Sequence, residues 1–379
     1  MEKLKANQLD GIRLSKSVVG LEEKKALERV IDHGYLGMGK EVQSFELELK
    51  EFLGTQLDVM CVNSGTAALH MAMAGLDIGP GDEVLVPTIT YISSFQAISA
   101  TGARPIPCDV YENTLFIDIE DAKKRLTSKT RAVMPVHYAS DSQGIPSVYE
   151  FAKKNNLRVI EDAAHSFGCK RQNEMIGVSG DVLCFSFDGI KNITSGEGGA
   201  VLTSDLILKK RIQDARLLGV ESDTDKRFAG ERSWSFDAKY QGWRYHMSDL
   251  MAAIGRVQLK KFDSFSRKRK EILNFYLSQL SNLKNLKLFE FDYQSITPHI
   301  FPVRILNGKR DQLIKALKDK NIQSGIHYQP NHLLSLYKTE YALPVAEKIY
   351  KEVISIPLHP ELNKKDLFRI TDLIKEVVR

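Results

Sequence analysis

Hydrophobic residues in the first 200 positions form short continuous runs that recur between segments of helical period. Helical patterns follow Gly65 and cover residues 147–154. Continuous apolar strands that alternate with helices predict a parallel sheet covered by helices on both faces. The runs are DVMCV ending at Val62, EVLVP at 83–87, RPIPCDV ending at Val110, RAVMPV ending at Val136 and RVIED ending at Asp162.

A tighter connection follows residue 180. The run VLCFSF ends at Phe187 and the run GAVLT begins at Gly199, so about eleven residues separate the two strands. A parallel return usually needs a crossover of roughly a dozen residues or more. The spacing therefore predicts an antiparallel pair at one side of the otherwise parallel sheet, with a connection that carries its side chains at a sheet end.

The pattern changes again after about residue 250. A long charged helix is predicted over roughly 251–280, followed by the run PHIFPVRI, a helix DQLIKALKDK and the segment IQSGIHYQPNH. This order predicts a large domain over 1–250, which includes the N-terminal segment, and a linking helix with a smaller α/β domain over 251–379. The stretch 220–240 is polar without a clear period, which predicts a long loop that is functional or mobile.

Composition excludes several classes of protein. The chain has 379 residues, of which 43% are hydrophobic and 27% charged, as in folded globular proteins. The net charge of +5 is not concentrated in a patch, so we expect no nucleic-acid partner. No apolar run reaches the ~20 residues of a membrane span, and MEKLKANQLDG lacks the apolar core of a signal peptide. We expect no membrane partner and a cytoplasmic location.

The spacing of the cysteines and glycines argues against disulfides, a metal site and the common nucleotide-binding motifs. The four cysteines form no CxxC pair, so free thiols in a reducing compartment are expected, without a metal site. The glycines at 196–199 do not form the dinucleotide fingerprint, and Gly39-Lys40 lacks the following Ser or Thr of a P-loop. A nicotinamide or nucleoside triphosphate site is therefore not expected.

One glycine opens a candidate anion site. The segment from Asn63 to Ala67, which contains Gly65, follows a strand and begins a helix, whose free first-turn amides can bind an anion. A simple helix cap explains the same residues. Ser186 is a polar residue in an apolar run, where it could satisfy a backbone group or reach a phosphate.

Four further residues carry candidate chemistry. Asp162 ends a predicted buried strand at the carboxyl edge of the sheet, where it is either a ligand group or a helix cap. Lys191, in the antiparallel connection, is either a solvated turn lysine or an amine nucleophile with a lowered pKa. Tyr91 is either a core residue or a stacking surface, and His165 alone is more often structural. A lysine, a carboxylate, an anion cup and a flat ring together suit pyridoxal phosphate.

The chain resembles the DegT-type sugar aminotransferases, which are pyridoxal-phosphate enzymes of fold type I, from close to its start to its end. The order and spacing of the shared motifs all fit, and the resemblance implies a large domain with a mostly parallel sheet between helices and a smaller α/β C-terminal domain. The motifs are LSKSVVG from Leu14, NSGTAALHMA from Asn63, GPGDEVLVPTITYISS from Gly79, PVHYA from Pro135, VIEDAAHSFG from Val159, CFSFDGIKNITSGEGGAVLT from Cys184, YHMSDLMAA from Tyr245, GIHYQPNH from Gly325 and SIPLHPEL from Ser355.

The resemblance implies a role for each candidate. Lys191 would form the Schiff base with pyridoxal phosphate and move the proton between cofactor and sugar carbons. Asp162 would pair with the pyridinium nitrogen, Tyr91 would stack on the ring, and His165 would lie near the ring hydroxyl. The remaining implied residues are Gly65, Thr66 and Ser186 at the phosphate, His246 at a partner subunit's phosphate, and His327, Tyr328 and His332 at the substrate.

The implied reaction moves an amino group from L-glutamate to a nucleotide-linked keto sugar, in a homodimer with shared active sites. The sequence KNITSGEGG around Lys191 favours amination at C4 of a dTDP- or UDP-linked 4-keto-6-deoxy sugar, such as dTDP-4-keto-6-deoxyglucose. The product would be used for surface polysaccharide or O-antigen. A C3 aminotransferase is the alternative. A dehydratase of the family would replace Lys191, typically with His, and a catalytically silent regulator would lose Lys191 or Asp162.

The loop that contains Arg227 and Arg232 is a further candidate for contact with the sugar nucleotide. Guanidinium groups pair well with a diphosphate, although solvated surface arginines are more common. The sequence leaves both interpretations open.

Overall fold

The computed structural model describes residues 11–379, and these contain the following elements. The helices are α1 Leu21–His33, α2 Lys40–Leu53, α3 Gly65–Gly75, α4 Ile92–Ala100, α5 Ile119–Lys124, α6 Ile145–Lys154, α7 Leu206–Ala215, α8 Asp223–Phe228, α9 Asp249–Leu280, α10 Arg310–Asp319, α11 Pro344–Glu352 and α12 Lys364–Val378. The strands are β1 Asp58–Val62, β2 Glu83–Pro87, β3 Arg104–Cys108, β4 Thr130–Val133, β5 Arg158–Asp162, β6 Lys170–Arg171, β7 Glu174–Met175, β8 Val182–Ser186, β9 Gly199–Thr203, β10 Leu286–Leu288, β11 Phe301–Ile305 and β12 Val353–Ile356.

A seven-stranded sheet forms the centre of the molecule, in the order β1-β9-β8-β5-β4-β2-β3. The predicted antiparallel pairing of β8 and β9 is confirmed, and the other contacts from β8 to β3 are parallel. β9 is also antiparallel to β1, with Val62 opposite Gly199. The reversed strand therefore lies one position inside the edge, because β1 pairs with its other side.

The residues of β8 show how the sheet is covered. Val182 and Cys184 pack with α3, α4 and α7, whereas Leu183 and Phe185 pack on the opposite face with α2 and α9. Successive strand residues point to opposite faces, so a run that is apolar throughout must be buried on both. The sheet therefore lies between two layers of helices, and its polar functional groups are found at the strand ends.

The C-terminal part of the chain adds a three-stranded antiparallel sheet, β10-β11-β12. α9 has 32 residues, about 48 Å of helix, and contacts α1, α2 and α12. Ile12 pairs with Ile322, so the beginning of the described chain lies against this later part. The division of the chain into domains at residue 250 stays a prediction. None of the helices in the described residues is long and apolar enough to cross a membrane.

The stretch 220–240 is not wholly irregular, and the sequence-based prediction of a continuous loop was wrong for its first part. Residues 223–228 form the short helix α8. Asp223 Oδ2 accepts a hydrogen bond from Arg227 Nε at 2.8 Å, four residues later on the same helix face. This i,i+4 ion pair stabilises a helical turn that has no apolar periodicity to reveal it.

Candidate active site

A cavity of about 540 Å³ opens at the carboxyl ends of the parallel strands. Ligand sites of open α/β sheets lie at this edge, because the strands end there and the following loops and helix N-termini converge. Most of the predicted site residues line it, and His246 and His332 do not. The predicted residues that line the cavity are Gly65, Thr66, Tyr91, Asp162, His165, Ser186, Lys191, His327 and Tyr328.

Lys191 lies in the tight connection between β8 and β9, where its amide donates to the carbonyl oxygen of Asp188 at 3.1 Å. Burial lowers the pKa of its ammonium group to about 8, against the opposing attraction of the Asp162 and Asp188 carboxylates. About a tenth of the molecules then carry a neutral amine at pH 7, compared with less than about a thousandth for an ordinary lysine. The structure therefore favours a nucleophilic amine over a solvated turn lysine.

Asp162, the last residue of β5, is 5% exposed and presents a carboxylate to the cavity. Its Oδ2 accepts a hydrogen bond from Ser94 Oγ at 2.8 Å, and its Oδ1 accepts one from the Ala164 amide at 3.2 Å. Ser94 also shares a hydrogen bond with Thr90 at 2.8 Å. These bonds hold the carboxylate in one orientation, and the lone pairs they leave are available to a buried positive N–H group.

The start of α3 forms an anion cup. Ser64 caps the helix, with its Oγ accepting from the Ala67 amide at 3.1 Å, while the amides of Gly65 and Thr66 belong to the first turn, which has no intrahelical acceptors. A Cβ on Gly65 would lie 2.8 Å from Ser186 Cβ and 2.9 Å from Ser186 Oγ. Glycine therefore lets the helix start and the end of β8 converge on one point.

Two predicted histidines are neutral hydrogen-bonding groups in the cavity wall. His165 Nε2 lies 3.0 Å from the Tyr328 hydroxyl, and its Nδ1 has no partner among the described residues. His327 Nδ1 lies 2.8 Å from Ser355 Oγ. Burial and the nearby Lys191 ammonium lower the pKa of His165 well below its ordinary value and that of His327 to about 4.

Tyr91 precedes α4, and its side chain is 59% exposed at the cavity. Its ring centroid is 5.8 Å from that of Tyr328. An aromatic ring with one open face beside an anion cup and a carboxylate is placed to cover a flat ligand.

His299 was missed by the sequence analysis, in which its segment was interpreted only as a strand. It lines the cavity, is 4% exposed, and its Nε2 lies 3.4 Å from Lys191 Nζ. Asp188 and Glu197 also line the cavity, at the two ends of the β8–β9 connection. Burial and the neighbouring Asp188 raise the pKa of Glu197.

His332 lies outside the cavity lining. Its Nδ1 shares a hydrogen bond with Thr88 Oγ1 at 2.8 Å, and the preceding Asn331 donates to the carbonyl oxygens of Thr88 and Thr90. In the structure it therefore fixes the segment after β2, from which Tyr91 extends. Its role at the substrate stays a prediction.

His246 also lies outside the lining and pairs through its backbone with Val62, next to the start of α3. Its amide donates to the carbonyl oxygen of Arg216 at 3.0 Å, and burial lowers its pKa to about 4. Its role at a partner subunit's phosphate stays a prediction.

No cluster of three or more His, Cys, Asp or Glu suited to a metal ion occurs within residues 11–379.

The donor set of the cavity fits pyridoxal phosphate. Lys191 supplies an amine that loses its proton near neutral pH, and Asp162 supplies a fixed carboxylate. The cup beside Gly65 is too tight for a Cβ, as expected where backbone amides must approach a phosphate closely. The unpaired Nδ1 of buried His165 leaves an unmet polar group in the same wall.

The fold and this site define a pyridoxal-phosphate-dependent enzyme of fold type I. The chain belongs to the DegT/DnrJ/EryC1/StrS aminotransferase family, whose model matches residues 18–375. Aminotransferases of this family use pyridoxal phosphate.

Similarity to individual proteins extends over nearly the whole chain. The spore coat polysaccharide biosynthesis protein SpsC of Bacillus subtilis is 33% identical over 373 residues, covering 96% of each chain. The aminotransferase TlmJ from Streptoalloteichus hindustanus is 30% identical with a TM-score of 0.89, covering 97% of this chain and 98% of that one. NtdA from Bacillus subtilis, solved with the bound cofactor PMP, is 25% identical with a TM-score of 0.84, covering 94% and 81%.

Proposed function

We propose that this enzyme transfers the amino group of L-glutamate to C4 of a 4-keto-6-deoxy sugar linked to dTDP or UDP. The resulting 4-amino sugar is used in a surface polysaccharide or glycoconjugate. The observation that carries the proposal is the Lys191 amine, whose pKa is lowered to about 8, in the same cavity as the fixed carboxylate of Asp162. The family and the name of SpsC support a role in polysaccharide synthesis, and the KNITSGEGG segment supports C4.

When bound, pyridoxal phosphate supplies an electron sink that carries the amino group between donor and acceptor. The Lys191 amine would hold the cofactor covalently, and it is the base that would remove a proton from one carbon and return it to another. The carboxylate of Asp162 would hold a proton on the ring nitrogen of the cofactor. The first-turn amides of Gly65 and Thr66, with Ser186 Oγ, would bind the phosphate.

The other side chains of the wall orient ligands and exclude water. Tyr91 would cover the flat face of the bound ring, and His165 would exchange a hydrogen bond with the ring hydroxyl. Because His165 and His327 are neutral, they add no positive charge that would lower the basicity of Lys191 further. Tyr328, through its hydroxyl on His165, fixes which ring nitrogen of that histidine faces the ligand.

The proposal includes a homodimer with shared active sites. The cup beside Gly65 consists of neutral groups, while a bound phosphate carries nearly two negative charges. Within the described residues, Lys191 is the one lysine or arginine of the cavity lining, which also contains the carboxyl groups of Asp162, Asp188 and Glu197. A second copy that adds positive charge supports binding of phosphate and of a nucleotide diphosphate.

The cytoplasmic location is supported by four buried cysteines, all free in the described residues.

The decisive experiment reconstitutes the purified protein with pyridoxal phosphate and L-glutamate and offers a panel of nucleotide-linked 4-keto and 3-keto sugars. Turnover of a 4-keto sugar, with NMR of the product showing the amine at C4, is expected. Lys191→Ala is the control, and borohydride is expected to trap the cofactor on Lys191 in the wild type alone. Amination of 3-keto sugars alone contradicts the proposal and establishes the C3 alternative.

A further inference from the structure

The backbone of His299 is held from two directions. Its amide donates to Ser140 Oγ at 3.1 Å, and its carbonyl oxygen accepts from Arg269 Nη1 at 3.3 Å. Arg269 is itself a buried residue of α9, whose Nη1 also donates to the carbonyl oxygen of Pro298. Ser140 additionally donates to the carbonyl oxygen of His165 at 2.6 Å. These contacts fix His299 relative to both the central sheet and α9.

The imidazole ring of His299 is also held in place, and its Nε2 atom lies close to Lys191 Nζ. It packs against the ring of His165, with 4.5 Å between centroids, and its Nε2 lies 3.4 Å from Lys191 Nζ. Its Nδ1 has no hydrogen-bond partner among the described residues. The single polar contact of this buried imidazole is therefore with the amine on which the chemistry depends.

The positive charges around His299 determine the protonation state of its imidazole ring. Burial, together with Lys191, His165, Arg269 and His327, lowers the pKa of His299 well below its ordinary value, so the ring is neutral. Lys191, with a pKa of about 8, is mostly an ammonium group at pH 7 and can only donate. The Nε2 atom must then be the acceptor, and the ring proton lies on Nδ1.

We propose that His299 is the positioning residue of Lys191, accepting an N–H of its amine at Nε2 and so directing the free lone pair into the cavity. When the ammonium loses a proton, the neutral amine still donates to Nε2. Its lone pair consequently faces the ligand rather than the protein wall, which is the orientation that bond formation and proton removal require. The inference rests on Lys191 attaching the cofactor and not on the identity of the sugar.

Two substitutions separate this role from packing. In His299→Gln the amide oxygen reaches the place of Nε2, whereas in His299→Asn the side chain is one methylene shorter and cannot reach Nζ. The glutamate half-reaction, followed by absorbance in a single turnover, is expected to slow by 10- to 100-fold in His299→Asn and by less than about 3-fold in His299→Gln. The glutamate concentration that gives half of the maximal single-turnover rate should change by less than about 3-fold in both, since the proposal gives His299 a contact with Lys191 and none with glutamate.

A second readout does not depend on catalysis. The rate at which pyridoxal phosphate attaches to the cofactor-free protein is measured against pH, and its acidic midpoint reports deprotonation of Lys191, which also faces Asp162 and Asp188. Loss of the acceptor destabilises the ammonium, so the midpoint of His299→Asn should move down by about one pH unit and that of His299→Gln should not. Because all variants are titrated with the same cofactor, its own ionisations cancel in the comparison.

The matched control is His70→Asn, which alters a buried imidazole on α3 that packs against Trp243 at 4.7 Å. Its attachment midpoint should equal that of the wild type. As a check that needs no variant, ¹⁵N NMR of histidine in the cofactor-free wild type should show His299 as the Nδ1–H tautomer at pH 7.

Three results would overturn the proposal. The first is a His299→Asn protein whose attachment midpoint and glutamate half-reaction rate equal those of the wild type. The second is equal impairment of the His299→Gln and His299→Asn proteins. The third is an NMR spectrum in which the His299 ring carries its proton on Nε2 or on both nitrogens. A wild type that attaches the cofactor and reacts with glutamate, but aminates no 4-keto sugar, contradicts the proposed function alone.

Discussion

Replacing Lys191 by methionine is expected to make the cofactor-free protein more stable at neutral pH. The folded protein lowers the pKa of this lysine from 10.5 to about 8, mainly by burial. One pH unit corresponds to about 1.4 kcal/mol, so holding the ammonium in the folded cavity costs about 3 kcal/mol at pH 7. Methionine has a similar length and no charge, and it removes this cost.

The pH dependence follows from the sign of the pKa difference. Below about pH 8 the lysine is protonated in both the folded and the unfolded states, and the whole cost is present. Between about pH 8 and 10.5 the unfolded chain binds more protons than the folded one, so the free energy of unfolding of the wild type rises with pH relative to the variant. The advantage of Lys191→Met should therefore fall from about 3 kcal/mol at pH 7 towards zero above pH 10.5.

Urea unfolding of the cofactor-free proteins at pH 7, 8.5 and 10, followed by circular dichroism, measures this difference. Lys154→Met, on the exposed end of α6, serves as the control and should change the free energy of unfolding by less than about 1 kcal/mol at every pH. A Lys191→Met protein that is no more stable than the wild type at pH 7, or whose advantage is the same at pH 10, would refute the reasoning.

Two further substitutions test the groups around the cofactor. Gly65→Ala places a Cβ 2.8 Å from that of Ser186, so the proposed phosphate cup must open, and the affinity for pyridoxal phosphate should fall at least about 10-fold in an absorbance titration. Gly79→Ala meets only an ordinary 3.6 Å contact and should bind as the wild type does. Ser94→Ala removes the 2.8 Å hydrogen bond to Asp162 and should cost about 1–3 kcal/mol in urea unfolding, whereas an unchanged midpoint would show that this bond contributes nothing.

The regular elements of the large sheet could be predicted because each strand is a self-contained signal. The runs that end at Val62 and Asp162 match β1 and β5, since the central residues of these strands are apolar and are buried on both faces of the sheet. The place of β9 between β1 and β8 could not be predicted. Strand order depends on pairing between residues far apart in the chain, such as Val62 with Gly199.

Part of the site could be predicted for the same local reason. Gly65 begins the helix that follows β1, and Asp162 ends β5. Because the carboxyl ends of the strands of an open α/β sheet gather at one edge, the proximity of the two residues follows from the fold class. His299 could not be found in this way. It precedes an ordinary apolar strand, and only its 3.4 Å approach to Lys191, 108 residues away in the chain, distinguishes it.

The chemical character of Lys191 shows why such distant residues matter. A lysine in a tight turn at a sheet end is solvated if the turn alone surrounds it, and its pKa is then ordinary. In this protein the C-terminal part of the chain closes over the turn with His299, His327 and Tyr328. Burial is the main cause of the lowered pKa of Lys191, and residues that line the same cavity contribute to that burial. The motif that carries Lys191 thus specifies where the amine is in the chain, whereas its lowered pKa depends on burial, to which segments far away in the chain contribute.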